Sequence, residues 1–139
     1  MNVRTFKGRY ENLEKIGKFA RQAAHEAGLD SRAMYAVETA VDEACSNIIE
    51  HAYGGESDRT ITCNYQIFPD RLIITLKDSG RPFDPSTVVE PNLNAALEDQ
   101  PGHGLGMFFM RRMMDEIEFT HDSKGGNTLT MIKFRGKKT

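Results

Sequence analysis

Apolar positions recur along the first third of the chain at intervals of three and four. From Glu11 onward, Leu13, Ile16, Ala20, Ala23, Ala24 and Ala27 fall on one side of a helix. Gly28 is placed to end it, because glycine takes the left-handed terminal conformation without a Cβ clash. Asp30 or Ser31 can cap a second helix. Its inner stripe is Met34, Val37, Ala40, Val41, Ala44, Cys45 and Ile48, and it stops at Gly54-Gly55. Beyond Gly55 the period shortens to two. ITCNYQIF, a turn at Pro69-Asp70, and RLIITLKD predict a hairpin of two long strands, and residues 2–8 can form a shorter one. From Ser79 to His103 no period is visible, and four of the five prolines lie there, which predicts a long loop of the kind that serves as a lid. A short helix from about Gly104 to Met114 follows. DEIEFTHDS, the turn Lys124-Gly125-Gly126-Asn127 and TLTMIKFR then form a closing hairpin. This order predicts an α+β two-layer sandwich, a mixed and largely antiparallel sheet with helices on one face.

Composition narrows the functional classes. With 139 residues, a single domain spanning 1–139 is expected, long enough to bury a real core. A net charge of -2 with dispersed basic residues argues against a nucleic-acid binder, which concentrates positive charge on one face. MNVRTFKGRYENL lacks the apolar centre of a signal peptide and no run is long enough to span a bilayer, so a cytoplasmic protein is expected. Cys45 and Cys63 fit no zinc spacing and are expected as small buried hydrophobes.

Three stretches carry candidate chemistry. In VETAVDEACSNIIEHAY, Glu43 and Asn47 stand one turn apart, within roughly 40° of each other around the helix, whereas Asp42 points about 100° away. They are either solvated residues at the border of the apolar stripe or a metal-and-base pair. In the second case the Asn carbonyl would be a hard oxygen ligand for magnesium and the carboxylate a proton acceptor. Asp78-Ser79-Gly80-Arg81-Pro82-Phe83-Asp84 stands where a strand runs out. A carboxylate there can accept from an exocyclic amine such as adenine's, and Gly80 lets a flat ring approach the backbone, although Asp-Ser-Gly is also an ordinary turn. In PGHGLGMFFM, Gly102, Gly104 and Gly106 clear side chains from backbone N–H groups at the positive end of a helix, a setting for phosphate or for a simple hinge. A P-loop or dinucleotide-binding motif is excluded: the Walker lysine is missing and the stretch does not follow the first strand. Met107, Met110, Met113 and Met114, with Phe108 and Phe109, are expected to pack the core.

Taken in order, these motifs resemble the Bergerat-type (GHKL) ATP-binding fold of gyrase-like, Hsp90-like and histidine-kinase ATPases. EACSNIIEHAYGG, DSGRPFDP, GHGLGMFFMRRMMDEIEF and GGNTLTMIKF look most like the bacterial anti-sigma-factor serine kinases of the RsbW and SpoIIAB type. The resemblance covers about residues 10–135. It implies that Asn47 binds Mg2+ bridging the phosphates of ATP and that Glu43 is the catalytic base. Asp78 would hold the adenine amino group, with Gly80 beside the ring and Thr128 supporting Asp78 through its hydroxyl or a water. Gly102, Gly104, Leu105 and Gly106 would wrap the phosphates beneath a mobile lid, and Phe83 and His103 complete the nucleotide-binding set. The implied acceptor is a serine of a STAS-type anti-anti-sigma protein, the implied second partner a sigma factor, and the implied assembly a homodimer, with the N-terminal strand as its candidate interface. One departure is that no Lys or Arg lies between Pro82 and Gly104, where related kinases commonly place a basic residue against the terminal phosphate. Arg81, His103 and Arg111 are the candidates to replace it, the alternative for His103 being a simple loop residue. Two other readings compete. One is a sensor histidine kinase fragment, since Ala24-His25-Glu26 mimics a phosphoacceptor box, although Gly28 ends that helix at once and makes His25 an exposed helix histidine. The other is a module that binds ATP only to shape a docking surface.

Overall fold

The computed structural model describes residues 2–82 and 105–136. Strand β1 (Asn2–Lys7) leads through a 3-10 turn (Tyr10–Asn12) into α1 (Leu13–Glu26), followed by α2 (Ser31–Asn47) and a π-helical turn (Ile48–Ala52). The hairpin β2 (Thr60–Phe68) and β3 (Arg71–Asp78) comes next. After residues 83–104, which lie outside the described part, come α3 (Leu105–Met113), β4 (Glu116–Asp122) and β5 (Gly126–Phe134).

The helix boundaries follow from local chemistry. Asp30 accepts from the Ala33 backbone N–H at 2.8 Å and so caps α2. Gly28, at φ +76°, turns the chain out of α1 while Leu29 N donates back to the Ala24 carbonyl at 3.1 Å. The π turn departs from the simple helix expected up to Gly54. Tyr53 N reaches back five residues to Ile48 O at 2.9 Å, and nothing in the apolar pattern of Ile48 and Ile49 announces the wider turn.

The five strands lie in the order β1-β2-β3-β5-β4, and every pairing among the described residues is antiparallel. The expected mixed character has a simple physical resolution. β3 and β4, joined across α3, run in the same direction, but β5 inserts between them and pairs antiparallel with both. Alternate residues of the strands face the helices. Ile61, Cys63 and Tyr65 of β2, Leu72, Ile74 and Leu76 of β3, and Leu129 and Met131 of β5 are all buried there. Against them lie Ile16, Ala20, Ala23 and Ala24 of α1 and Val37, Ala40, Val41, Ala44 and Cys45 of α2. The alanines are small enough to let the two helices approach each other and the sheet. Phe19 links the layers, edge-on to Phe6 at 6.4 Å and to Tyr65 at 5.2 Å between ring centroids. Each fully buried Ile or Leu contributes about 1.5–3 kcal/mol by leaving water, so this one face holds most of the fold's hydrophobic stabilisation. Cys45 and Cys63 are buried as expected. Among the described residues no helix is long and apolar enough to cross a membrane.

Candidate nucleotide-binding site

Asn47 is the last residue of α2, and Glu43 sits one turn before it. Both are half-buried at the edge of the apolar stripe. Among the described residues no hydrogen bond or ion pair engages either side chain, so both remain available to a ligand. Partial burial withdraws water from the Glu43 carboxyl and holds its pKa above the ordinary range, and the charges of Asp42 and Glu50 push the same way. Asp42 is also raised, first by burial and then by Glu38. Unlike Glu43, however, it lines a separate groove of about 430 Å³ between α1 and α2, together with Glu14, Lys18, Arg21 and Glu38. That polar groove shares no residue with the Glu43, Asn47 and Asp78 set.

The end of β3 is fastened to the end of the α2 and π-turn segment. Gly80 is required there by the backbone itself, because a Cβ at this position would lie 2.4 Å from the Ala52 carbonyl oxygen and 2.6 Å from its carbon. The glycine therefore makes room for a protein carbonyl. The Arg81 N–H donates to the same Ala52 oxygen at 2.9 Å. The Arg81 guanidinium donates to the His51 carbonyl through Nε at 3.2 Å and Nη2 at 2.8 Å, placing a cation at the negative end of the helix. Arg81 is thus occupied in holding the loop, which leaves it poorly placed to replace a basic residue of the lid. A second strap comes from the preceding segment. Ser79 N donates to the Tyr53 hydroxyl at 3.1 Å, and Arg59, stacked 4.5 Å over the Tyr53 ring, donates to the Ser79 hydroxyl at 3.0 Å and to its carbonyl. These contacts bring Asp78 and Asn47, 31 positions apart in sequence, to one end of the molecule.

The support expected from Thr128 comes instead from Asn127. In the β3–β5 ladder Asp78 pairs with Asn127, while Thr128 pairs with Lys77. Because strand side chains alternate, Asn127 shares the helix-facing side with Leu129 and Met131, and Thr128 points to the opposite face. Asn127 Nδ2 donates to Asp78 Oδ1 at 2.8 Å, and the same oxygen accepts from Gly80 N at 2.8 Å. Oδ2 of Asp78 has no partner among the described residues. A carboxylate with one oxygen saturated by protein donors and the other free is suited to receive an exocyclic amine. The contribution of Asn127 was readable from the alternation of TLTMIKF: if Leu129 and Met131 face inward, so does Asn127.

The remaining expected residues divide between the described and undescribed parts. Phe83, Gly102, His103 and Gly104 lie outside the described residues. Leu105 and Gly106 open α3, which packs on α2 with Met110 and Met114 buried. Phe108 is half-buried beneath Arg112, whose guanidinium lies 4.9 Å from the ring centroid. Arg111 is exposed on the same helix. His25 is exposed on α1, as expected for a helix histidine outside any phosphoacceptor box.

A helix-backed antiparallel sheet thus holds an acidic residue at a strand end against an Asn-bearing helix. A profile of the family described as histidine kinase-like ATPase domain matches residues 6–133. The chain is similar to serine-protein kinase RsbW of Bacillus mycoides, with 36% identity over 115 residues covering 80% of this chain and 70% of that one. Across the Bacillus mycoides and Bacillus cereus relatives it spans 60–70% of their length. Its fold is similar to the solved RsbU and RsbW domains of a Mycobacterium tuberculosis protein, with a TM-score of 0.65 and 15% identity over 96% of this chain and 32% of that one. It is also similar to a chain of the SiaB-SiaC complex of Pseudomonas aeruginosa, with a TM-score of 0.62 and 15% identity over 95% and 88% of the two chains. The chain belongs to the histidine kinase-like ATPase family, among the relatives of the RsbW serine-protein kinases.

Proposed function

We propose that the protein is an anti-sigma factor and ATP-dependent serine-protein kinase, which holds a sigma factor and phosphorylates a serine of a STAS-type anti-anti-sigma protein. The observation that carries this reading is the half-saturated Asp78 carboxylate, fastened beside the helix that bears Glu43 and Asn47. The 36% identity to an RsbW kinase supports it.

In this reading Asp78 Oδ2 accepts the adenine amine, and the first turn of α3 offers backbone N–H groups to the phosphates. Asn47 fits a magnesium ion by chemistry and availability, being a neutral oxygen donor, half-buried, with no internal hydrogen bond to give up. Bound there, Mg2+ would neutralise phosphate charge. Glu43 takes the proton of the acceptor serine as its oxygen bonds to the γ-phosphorus and ADP leaves with the electron pair of the broken bond. The raised pKa of Glu43 makes it a better proton acceptor than an ordinary surface carboxylate. We further propose that the working form is a cytoplasmic homodimer, to be checked by light scattering at micromolar concentration.

Incubation with γ-labelled ATP, magnesium and a candidate STAS protein tests the central reading. Label on a partner serine is expected. Tight nucleotide binding with no transfer to any STAS partner would reduce the chain to an ATP-shaped docking module, and no binding at all would remove the nucleotide reading.

A further inference from the structure

Asn127 is 9% exposed, the one amide or charged residue that as a whole is buried among the described residues, in a strand whose other inward positions are Leu129 and Met131. Burying an amide costs free energy unless its donors and acceptor are satisfied, and here each is. Nδ2 stands 2.8 Å from Asp78 Oδ1, 2.8 Å from the Arg81 carbonyl and 3.2 Å from the Gly80 carbonyl. Reversing the amide would set its oxygen against three acceptors, so the orientation is forced. Asn127 Oδ1 therefore faces outward, 2.8 Å from Nδ1 of His121. An oxygen can only accept, so His121 Nδ1 carries the hydrogen, which leaves the Nε2 lone pair of the neutral ring bare. The strand register places the three residues in one row across the sheet: His121 on β4 opposite Asn127 on β5, and Asn127 opposite Asp78 on β3.

We propose that Asn127, oriented by His121, is a positioning residue that sets base specificity. By pinning Oδ1 of Asp78 together with the Gly80 N–H, it fixes the carboxylate so that only Oδ2 faces the nucleotide and selects a purine with an exocyclic amine over one with a ring carbonyl. An amine donates to this oxygen, whereas the carbonyl that guanine or hypoxanthine carries at the equivalent position would meet it lone pair to lone pair. Without Asn127 only the Gly80 N–H holds Oδ1, so the carboxylate turns more freely about its soft terminal torsion and the contrast between the two bases fades. The inference rests on reading Asp78 as the acceptor of the adenine amine.

The experiment combines calorimetry with MgATP and MgGTP on wild type, Asn127→Ala, Asn127→Asp, His121→Ala and Asp78→Asn with nitrogen NMR of the His121 ring. Asn127→Ala is expected to weaken ATP by about tenfold, the loss typical of a hydrogen bond to a charged group, while GTP moves little, so the ATP to GTP ratio collapses. Asn127→Asp, equal in size, weakens ATP further because it faces a carboxylate and two carbonyls. His121→Ala weakens ATP by about threefold, as for a neutral hydrogen bond. The wild-type ring is expected to be protonated on Nδ1 without nucleotide, and to lose that preference in Asn127→Ala. A purely structural role would lower ATP and GTP binding together, and an unchanged ratio overturns the proposal. A wild-type His121 protonated on Nε2 with Nδ1 bare overturns it too, whether or not the Asn127 variants fold. If Asp78→Asn binds ATP as well as wild type, the adenine reading itself fails. If Asp78→Asn loses ATP while the Asn127 variants keep their ratio, only the positioning role is lost.

Discussion

Gly80→Ala isolates the junction on which the site depends. The added methyl would sit 2.4 Å from Ala52 O and 2.7 Å from Ala52 Cβ, against a normal contact of at least 3.4 Å. To relieve it, the loop after β3 must retreat by about 1 Å, a distance at which repulsion is lost. The Arg81 N to Ala52 O bond, now 2.9 Å, and the Arg81 Nη2 to His51 O bond, now 2.8 Å, then stretch past useful length. One backbone bond contributes about 1 kcal/mol net, and crowding a packed site costs about 1–3 kcal/mol, so the loss should be about 2–4 kcal/mol. At an unfolding entropy of about 2.1 cal/mol/K per residue, that lowers Tm by about 7–14 °C. Because Asp78 Oδ1 is bonded to Gly80 N, ATP affinity should fall with it, by about tenfold or more. Gly54→Ala is the control. Its φ of +72° strains an alanine, but nothing lies within 4 Å. It should cost about 1 kcal/mol and leave nucleotide binding alone. Calorimetric unfolding and titration with MgATP measure both variants. A Gly80→Ala protein with a Tm within 2 °C of wild type, on the order of half a kcal/mol, and unchanged ATP affinity would refute the close approach.

Other outcomes follow from the same geometry. Gly17→Ala should raise stability by about 0.5–1 kcal/mol, because Gly17 is inside α1 and its new methyl would meet only Glu38 at an ordinary 3.7 Å. A drop in Tm would show that the groove between α1 and α2 is tighter than it looks. Asn47→Ala should abolish magnesium-dependent ATP binding, whereas Glu43→Ala should leave binding nearly intact and stop transfer in single-turnover assays; transfer at the wild-type rate removes Glu43 as the base. A base works when ionised, so transfer should rise with pH through a pKa above the ordinary carboxylate value. Glu50→Gln removes one of the negative neighbours and should move that limb to lower pH. A shift upward, or none, would contradict the assigned electrostatics.

The helices were legible because burial enforces a period. The stripes of α1 and α2, the cap at Asp30 and the stop at Gly28 each follow from local rules, and the structure keeps them. The motifs around Asn47 and Asp78 were legible as residue types, but their junction was not. The role of Gly80 depends on Ala52, 28 positions earlier, and no local rule reports a contact at that range. The placement of β5 between β3 and β4 was likewise out of reach, since chain order leaves the order in the sheet open. Thr128 differs for another reason: the alternation of TLTMIKF turns it outward, away from the face that carries Asn127, and a motif match takes no account of face.

Since β5 follows β4 in the chain yet occupies an interior lane of the sheet, a chain made only through β4 has nothing to join β3 to β4. In the proposed site, base recognition borrows Asn127 from that later strand. A nascent or incompletely refolded molecule therefore carries the Asn-bearing helix long before it can discriminate a nucleotide, and ATP capture reports completion of the whole sheet. In refolding experiments, a fluorescent adenine nucleotide should light up after the backbone signal has settled, never ahead of it.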